Sequence, residues 1–187
     1  MSPKKIVITG GPGTGKTAVI DMLEKEGYFC FEEIIRSLTL EAKKDKDIDT
    51  LVTNPLLFVS DPLAFNTKIL TGRINQFNKA LEQNNASIFF DRAIPDVIAY
   101  MDYFKQEYDT KFTYACKFHT YDEVFILPPW EEIYVSDNER LESFEQAVQI
   151  HEHLEEAYLR FGYKPVIVPK DTITNRVSFI LKKLNIE

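Results

Sequence analysis

The stretch Lys4-Lys5-Ile6-Val7-Ile8-Thr9-Gly10-Gly11-Pro12-Gly13-Thr14-Gly15-Lys16-Thr17 decides the fold. Residues 4–9 read as a buried apolar strand that runs into glycines. Gly10 to Thr17 then fit G-x-x-x-x-G-K-[ST] at every specified position. Residues 17–26 read as a helix closed by Gly27. Strand, glycine loop and helix in this order make a phosphate cradle. Glycines let the backbone wind closely around a phosphate with its N–H groups pointing inward. The helix start adds free N–H groups and the positive end of its dipole. Lys16 can reach the outer phosphates, and the Thr17 hydroxyl can hold Mg²⁺. Gly11, Pro12, Gly13, Thr14, Gly15, Lys16, Thr17 and Ala18 are therefore the expected nucleotide-binding residues.

Outward from this loop the chain alternates strands and helices. Residues 28–32 make a short aromatic strand and 33–44 a helical stretch. Residues 51–62 are irregular, broken by Pro55 and Pro62. A long helix over 63–83 stops at Asn84-Asn85, and Ser87-Ile88-Phe89-Phe90-Asp91 is a third strand. A helix over 95–108 begins on a proline, which the first turn tolerates. Residues 123–127 form a fourth strand stopped by Pro128-Pro129, and 130–139 are polar and irregular. Leu141, Phe144, Val148, His151, Leu154 and Tyr158 fall at helical spacing. Residues 165–168 form a fifth strand, and an amphipathic helix over 172–184 follows. Such alternation predicts a parallel sheet with helices on both faces, and continuous apolar strands fit burial from both sides. Ligands of such sheets bind at the carboxyl ends of the strands.

The 187 residues suit one domain, 1–187, with a candidate lid at 130–140. A net charge of −7 argues against a general nucleic-acid or anionic-membrane binder. No apolar run approaches the roughly 18 residues of a membrane span. The two cysteines, Cys30 and Cys116, make no disulfide or metal-binding pattern. The expectation is a cytoplasmic protein, a monomer or small homo-oligomer, with a small-molecule partner and no nucleic acid.

The other strand ends supply side chains. Asp91 projects from the third strand, where an acid can bind Mg²⁺. Arg92 beside it can hold an acceptor or a transferring phosphate as a planar fork. Asp96 reads equally as a first-turn helix acid or a site residue. After the second strand, Glu33 or Glu32 can orient or deprotonate an acceptor hydroxyl. Arg36 lies on the same helix face as Glu33, to pair with it or bind an acceptor. Arg140 in the candidate lid can stabilise developing charge. Arg73, Arg160 and Arg176 sit at surface-compatible helix positions and read as structural. His151 reads as a core or boundary histidine, and Gln76 as solvent-facing.

The loop at 10–17, Glu33-Ile34-Ile35-Arg36, the run Asp91-Arg92-Ala93-Ile94-Pro95-Asp96-Val97-Ile98-Ala99-Tyr100, and Arg140 together resemble the small bacterial "predicted ATPase" AAA-type P-loop family. That family is similar to the ribosylnicotinamide kinase domain of bifunctional NAD-biosynthesis proteins and to nucleoside and nucleotide kinases. The resemblance implies a P-loop NTPase three-layer sandwich whose five parallel strands run in the order 2-3-1-4-5. It also implies ATP with Mg²⁺, and a Pro169-Lys170-Asp171 loop near the adenine. Two departures stand out: Ala93 where relatives often carry glycine, and a single lid arginine where many nucleotide kinases use several. The first expectation is a small-molecule kinase, with Lys16, Asp91, Glu33 and Arg140 catalytic, Thr17 and Asp91 on the metal, and Arg36 and Arg92 on the acceptor. The second is a slow ATPase or GTPase acting as a nucleotide-dependent switch. An oligomeric AAA+ motor is disfavoured, because the expected acidic pair at the end of the third strand is missing.

Overall fold

The sheet is built around the strand that feeds the glycine loop. The computed structural model describes residues 2–35, 61–134 and 142–186. In chain order the elements are β1 (Lys4–Gly10), α1 (Lys16–Lys25), β2 (Phe29–Phe31), α2 (Pro62–Leu81), β3 (Ser87–Asp91), α3 (Ile94–Tyr103), α4 (Thr110–Phe118), β4 (Glu123–Leu127), α5 (Phe144–Arg160), β5 (Val166–Ile167) and α6 (Ile173–Leu184). A 3₁₀ turn, Glu131–Ile133, follows β4. All strands are parallel and ordered β2-β3-β1-β4-β5. This is the order that the resemblance implied.

Alternate residues of each strand face opposite layers. Ile6, Ile8, Phe89 and Phe125 pack with Val19 and Leu23 of α1 and with Val177 and Ile180 of α6. Val7, Ile88, Phe90 and Val124 face the other way, against Phe77 and Ala80 of α2 and Tyr158 of α5. Both faces are thus dry, and each fully buried large side chain contributes about 1.5–3 kcal/mol. The register sets Ile8 beside Asp91 and Gly10 beside Leu127. The ends of β1, β3 and β4 therefore open at one edge, where the glycine loop lies.

The helix starts have local causes. The Asp61 carboxylate accepts from Ala64 N–H at 2.9 Å, with Pro62 in the first turn of α2. Ser143 and Gln146 form a reciprocal capping box on α5. The helix expected over 95–108 ends at Tyr103. Lys105 takes a left-handed φ of 53°, and Gln106 N–H closes on Met101 O at 2.8 Å. The chain then forms a separate helix, α4, that sequence reading did not foresee. Asp109 caps α4, and Phe112, Ala115 and Cys116 bury one stripe of it. No helix among the described residues is long and apolar enough to cross a membrane.

Candidate functional site

The glycine loop takes its shape from two left-handed residues, Gly13 at φ 71° and Gly15 at φ 77°. Such a conformation costs a residue with a Cβ about 1–2 kcal/mol. Thr14 Oγ1 donates to Gly11 O at 3.0 Å and ties the loop across itself. Gly15 is the cap of α1, and no side chain closes that helix end. The result is a concave run of backbone N–H groups at a positive helix end, suited to an anion.

Four of the expected side chains meet beside this loop. Lys16 Nζ donates to Asp91 Oδ1 and lies 4.0 Å from Glu33 Oε2. Glu33 is in turn held by Arg73 Nη2 at 3.1 Å. Arg92 Nε approaches Glu33 Oε2 to 2.5 Å, as an ion contact off the N–H axis. All five side chains are buried or nearly so.

Asp96 anchors the cluster from below. It accepts from Thr9 Oγ1 and Tyr158 OH, both at 2.5 Å, and from Ala93 N–H at 2.9 Å. Arg92 and Arg73 lie 3.4 and 3.8 Å from its carboxylate. Burial works to raise its pKa, but the two guanidinium groups and the two hydroxyl donors outweigh that and hold it below the usual carboxylate value. Arg92 is affected in the opposite sense. Burial opposes its charge, yet Tyr100, Glu33, Asp96 and Asp91 keep it fully cationic, with its pKa above the usual value.

Arg92 also carries an uncommon backbone, with φ at 69°. Its N–H donates to Ile8 O at 3.0 Å, and its guanidinium lies 5.2 Å from the Tyr100 ring centre. A non-glycine residue in this region stores strain of about 1–2 kcal/mol. Such strain persists where surrounding contacts over-determine the geometry, and it concentrates at functional sites.

Two arginines overturn the sequence reading. Arg73 and Arg176 were expected at the surface, yet they are 3% and 2% exposed. Arg73 reaches from α2 to Glu33 and donates to Ala93 O at 2.5 Å, so it bridges the ends of β2 and β3. Arg176 reaches from α6 and donates to Thr14 O at 2.8 Å, while its guanidinium stacks 4.8 Å over the Trp130 ring. Neither partner is close in sequence. Next to Arg73, a Cβ on Gly72 would lie 2.6 Å from Ile34 Cδ1 and 2.9 Å from Ile34 Cγ2, so α2 presses directly on the Glu33-Ile34 turn.

The remaining candidates are placed as follows. Glu32 is exposed, and its carbonyl accepts from Gln76 Nε2 at 2.8 Å. Asp96 proves to be both helix cap and cluster hub. Arg160 pairs with Asp102 at 2.8 Å, away from the site. His151 sits at a boundary, 3.8 Å from Glu155. Arg36, Arg140 and most of the candidate lid lie outside the described residues. The start of the lid is described. A Cβ on Gly13 would collide with the Tyr134 ring, and one on Gly15 would lie 3.5 Å from Ile133 Cδ1, so residues 133–134 lie against the glycine loop.

A family model described as an AAA domain matches residues 5–176. The chain belongs to that family. Among curated proteins, a nucleotide-binding protein of Pseudomonas fluorescens is 30% identical over 78 residues, which is 42% of this chain and 26% of that protein. One from Pseudomonas putida is 27% identical over 81 residues, with 43% and 27% covered. The match thus spans about a quarter of the length of these relatives. Among solved structures, the NadR protein in complex with NR superposes with a TM-score of 0.73 at 19% identity, over 98% of this chain and 51% of that one. A deoxyadenosine kinase from M. mycoides, solved with dCMP and dCDP, gives 0.68 at 20% identity over 97% and 98%. A Candida albicans thymidylate kinase gives 0.67 at 18% identity over 98% and 92%. The AAA domain described here therefore has a nucleotide-binding P-loop fold of the kinase-like type.

Proposed function

We propose that this AAA domain transfers the γ-phosphoryl group of ATP to a hydroxyl of a small, unphosphorylated, nucleoside-like acceptor. The supporting observation is the meeting of Glu33 and Asp91 at Lys16 Nζ, which sets two carboxylates from different strand ends beside the lysine of the glycine loop. In this reading the backbone from Gly11 to Ala18 and the Lys16 ammonium hold the phosphates. Lys16 must leave Asp91 to reach them, which frees the Asp91 carboxylate. Asp91 and the Thr17 hydroxyl would hold Mg²⁺, a donor set that suits an ion taking one or two carboxylates plus substrate phosphates. That ion would neutralise charge on the phosphates.

Glu33 orients the acceptor hydroxyl and accepts its proton. Arg92, with Arg36, binds the acceptor, and Arg140 closes from the lid at 130–140 over the transferring group. The preference for an unphosphorylated acceptor rests on charge. Arg73 and Arg92 are already committed to Glu33 and Asp96, so both described arginines on this side are matched by carboxylates. The fold shared with NadR in complex with NR and with deoxyadenosine kinase supports the same reading.

A second reading, a slow nucleotide-dependent switch, draws on the stacked Tyr114 and Phe118 that α4 presents to solvent at 57% and 75% exposure. One assay separates the two. ADP release from ATP·Mg²⁺ is followed with and without pooled nucleosides and nucleotides. We expect stimulation by a nucleoside pool, lost in Asp91→Asn while ATP binding survives. A slow rate indifferent to every pool rejects the kinase and leaves the switch.

A further inference from the structure

Arg176 belongs to α6, yet it makes its hydrogen bond in the glycine loop, 162 residues away in sequence. Its Nη1 donates to the carbonyl of Thr14. The peptide that carries this carbonyl also carries the Gly15 N–H. A trans peptide is planar, so its C=O and N–H point in opposite directions. A guanidinium that pins the Thr14 carbonyl outward therefore turns the Gly15 N–H to the other side of the loop.

Gly15 is left-handed and caps α1, so nothing in its own φ/ψ preference fixes that peptide. The guanidinium is itself held in place. It stacks on Trp130, at 4.8 Å from the ring centre, and it is 2% exposed. It also fills the space beside Gly15, since a Cβ there would lie 3.0 Å from Nη1.

We infer that Arg176 is a positioning residue for phosphate binding: it orients the Thr14–Gly15 peptide so that the Gly15 N–H is presented to the polyphosphate of the nucleotide. The inference rests on the glycine loop holding phosphates, as proposed above. It makes Arg176 an element of the phosphate cradle that does not itself touch the ligand. Trp130, the chain's single tryptophan, holds that arginine from the other side.

The test is titration calorimetry of ATP·Mg²⁺ and of inorganic tripolyphosphate, on the whole chain and on Arg176→Met, Arg176→Lys and Trp130→Phe. Methionine keeps much of the volume and packing on Trp130 but has no donor. Arg176→Met is expected to weaken both ligands by the same factor, about tenfold, the scale of one hydrogen bond from a charged donor. Arg176→Lys keeps a donor without the planar fork and weakens both by about threefold. Trp130→Phe keeps an aromatic face under the guanidinium and stays within about twofold of the parent.

Equal affinity of Arg176→Met and the parent for both ligands overturns the inference. So does a loss confined to ATP, because that places Arg176 at the base rather than behind the phosphates. If Arg176→Met does not fold, Arg176→Lys decides: a joint fall upholds the role, and no fall, or a fall for ATP alone, overturns it. A parent chain that binds neither ligand instead rejects the phosphate site as a whole.

Discussion

The two sides of the site are made in different ways. The phosphate side is made mostly of backbone, within eight consecutive residues, and its shape follows from glycines at Gly13 and Gly15. The opposite side is made of side chains from four places: Glu33 after β2, Arg73 on α2, Arg92 after β3 and Asp96 on α3. The backbone side asks for φ angles that few residues adopt. The side-chain side asks for three-dimensional charge balance, and each member depends on the others. A change on the first side should therefore be felt in binding, and a change on the second in stability.

The largest expected effect tests that division directly. Asp96→Asn removes the charge that faces two buried guanidinium groups. Breaking a buried pair in this way costs about 3–5 kcal/mol, read as a loss in urea denaturation. Gly13→Ala is the counterpart. It should cost about 1–2 kcal/mol of stability through the left-handed backbone, with a smaller addition as the Tyr134 ring, which the new Cβ would meet, moves aside, while the thermal shift given by ATP·Mg²⁺ disappears. Comparable stability losses in the two variants would break the comparison.

A smaller effect probes the seam between α2 and the Glu33 turn. Gly72→Ala gains about 1 kcal/mol of helix propensity. It also forces Ile34 Cγ2 to move, at a cost of about 1–3 kcal/mol. The expected net loss is about 1 kcal/mol, and on the role proposed for Glu33 the acceptor KM rises as Glu33 shifts with Ile34. A more stable Gly72→Ala with unchanged KM would mean that the seam is loose.

The smallest concerns pH and lies outside both sides. Burial holds the His151 imidazole below its usual pKa, with Glu155 and Glu152 opposing the shift and Lys170 adding to it. A histidine depressed in the fold takes up its proton first in the unfolded chain. Stability is then complete above the unfolded value, about 6.5, and falls as the pH drops below it. His151→Gln should flatten the melting temperature between pH 7 and pH 5. An unchanged slope would assign it to other groups.

The same contrast explains what could be read from the sequence. The glycine loop is contiguous and is marked by residue types at fixed spacing, so its place between β1 and α1 was legible. The placement of Asp91 and Arg92 beside the loop was legible because they end a strand of a parallel sheet next to β1. Arg73 and Arg176 were not. On their helices they look like ordinary surface cations, and only the fold brings Ala93 O and Thr14 O within their reach. Helix α4 escaped for a local reason. It has nine residues rich in aromatic and β-branched types with weak helix propensity, and burial of Phe112 and Cys116 stabilises it.

One bond described above bears on the order in which the protein is made. The Thr14 carbonyl leaves the ribosome before its partner Arg176, which is translated 162 residues later. The sheet has the same delay, since β1 pairs with β3 and β4 rather than with β2. A nascent chain that has already exposed its glycine loop thus still lacks both strand neighbours of β1 and the arginine from α6. Nucleotide capture consequently waits for α6 to emerge and dock, and a bound nucleotide can favour the fold only from then on.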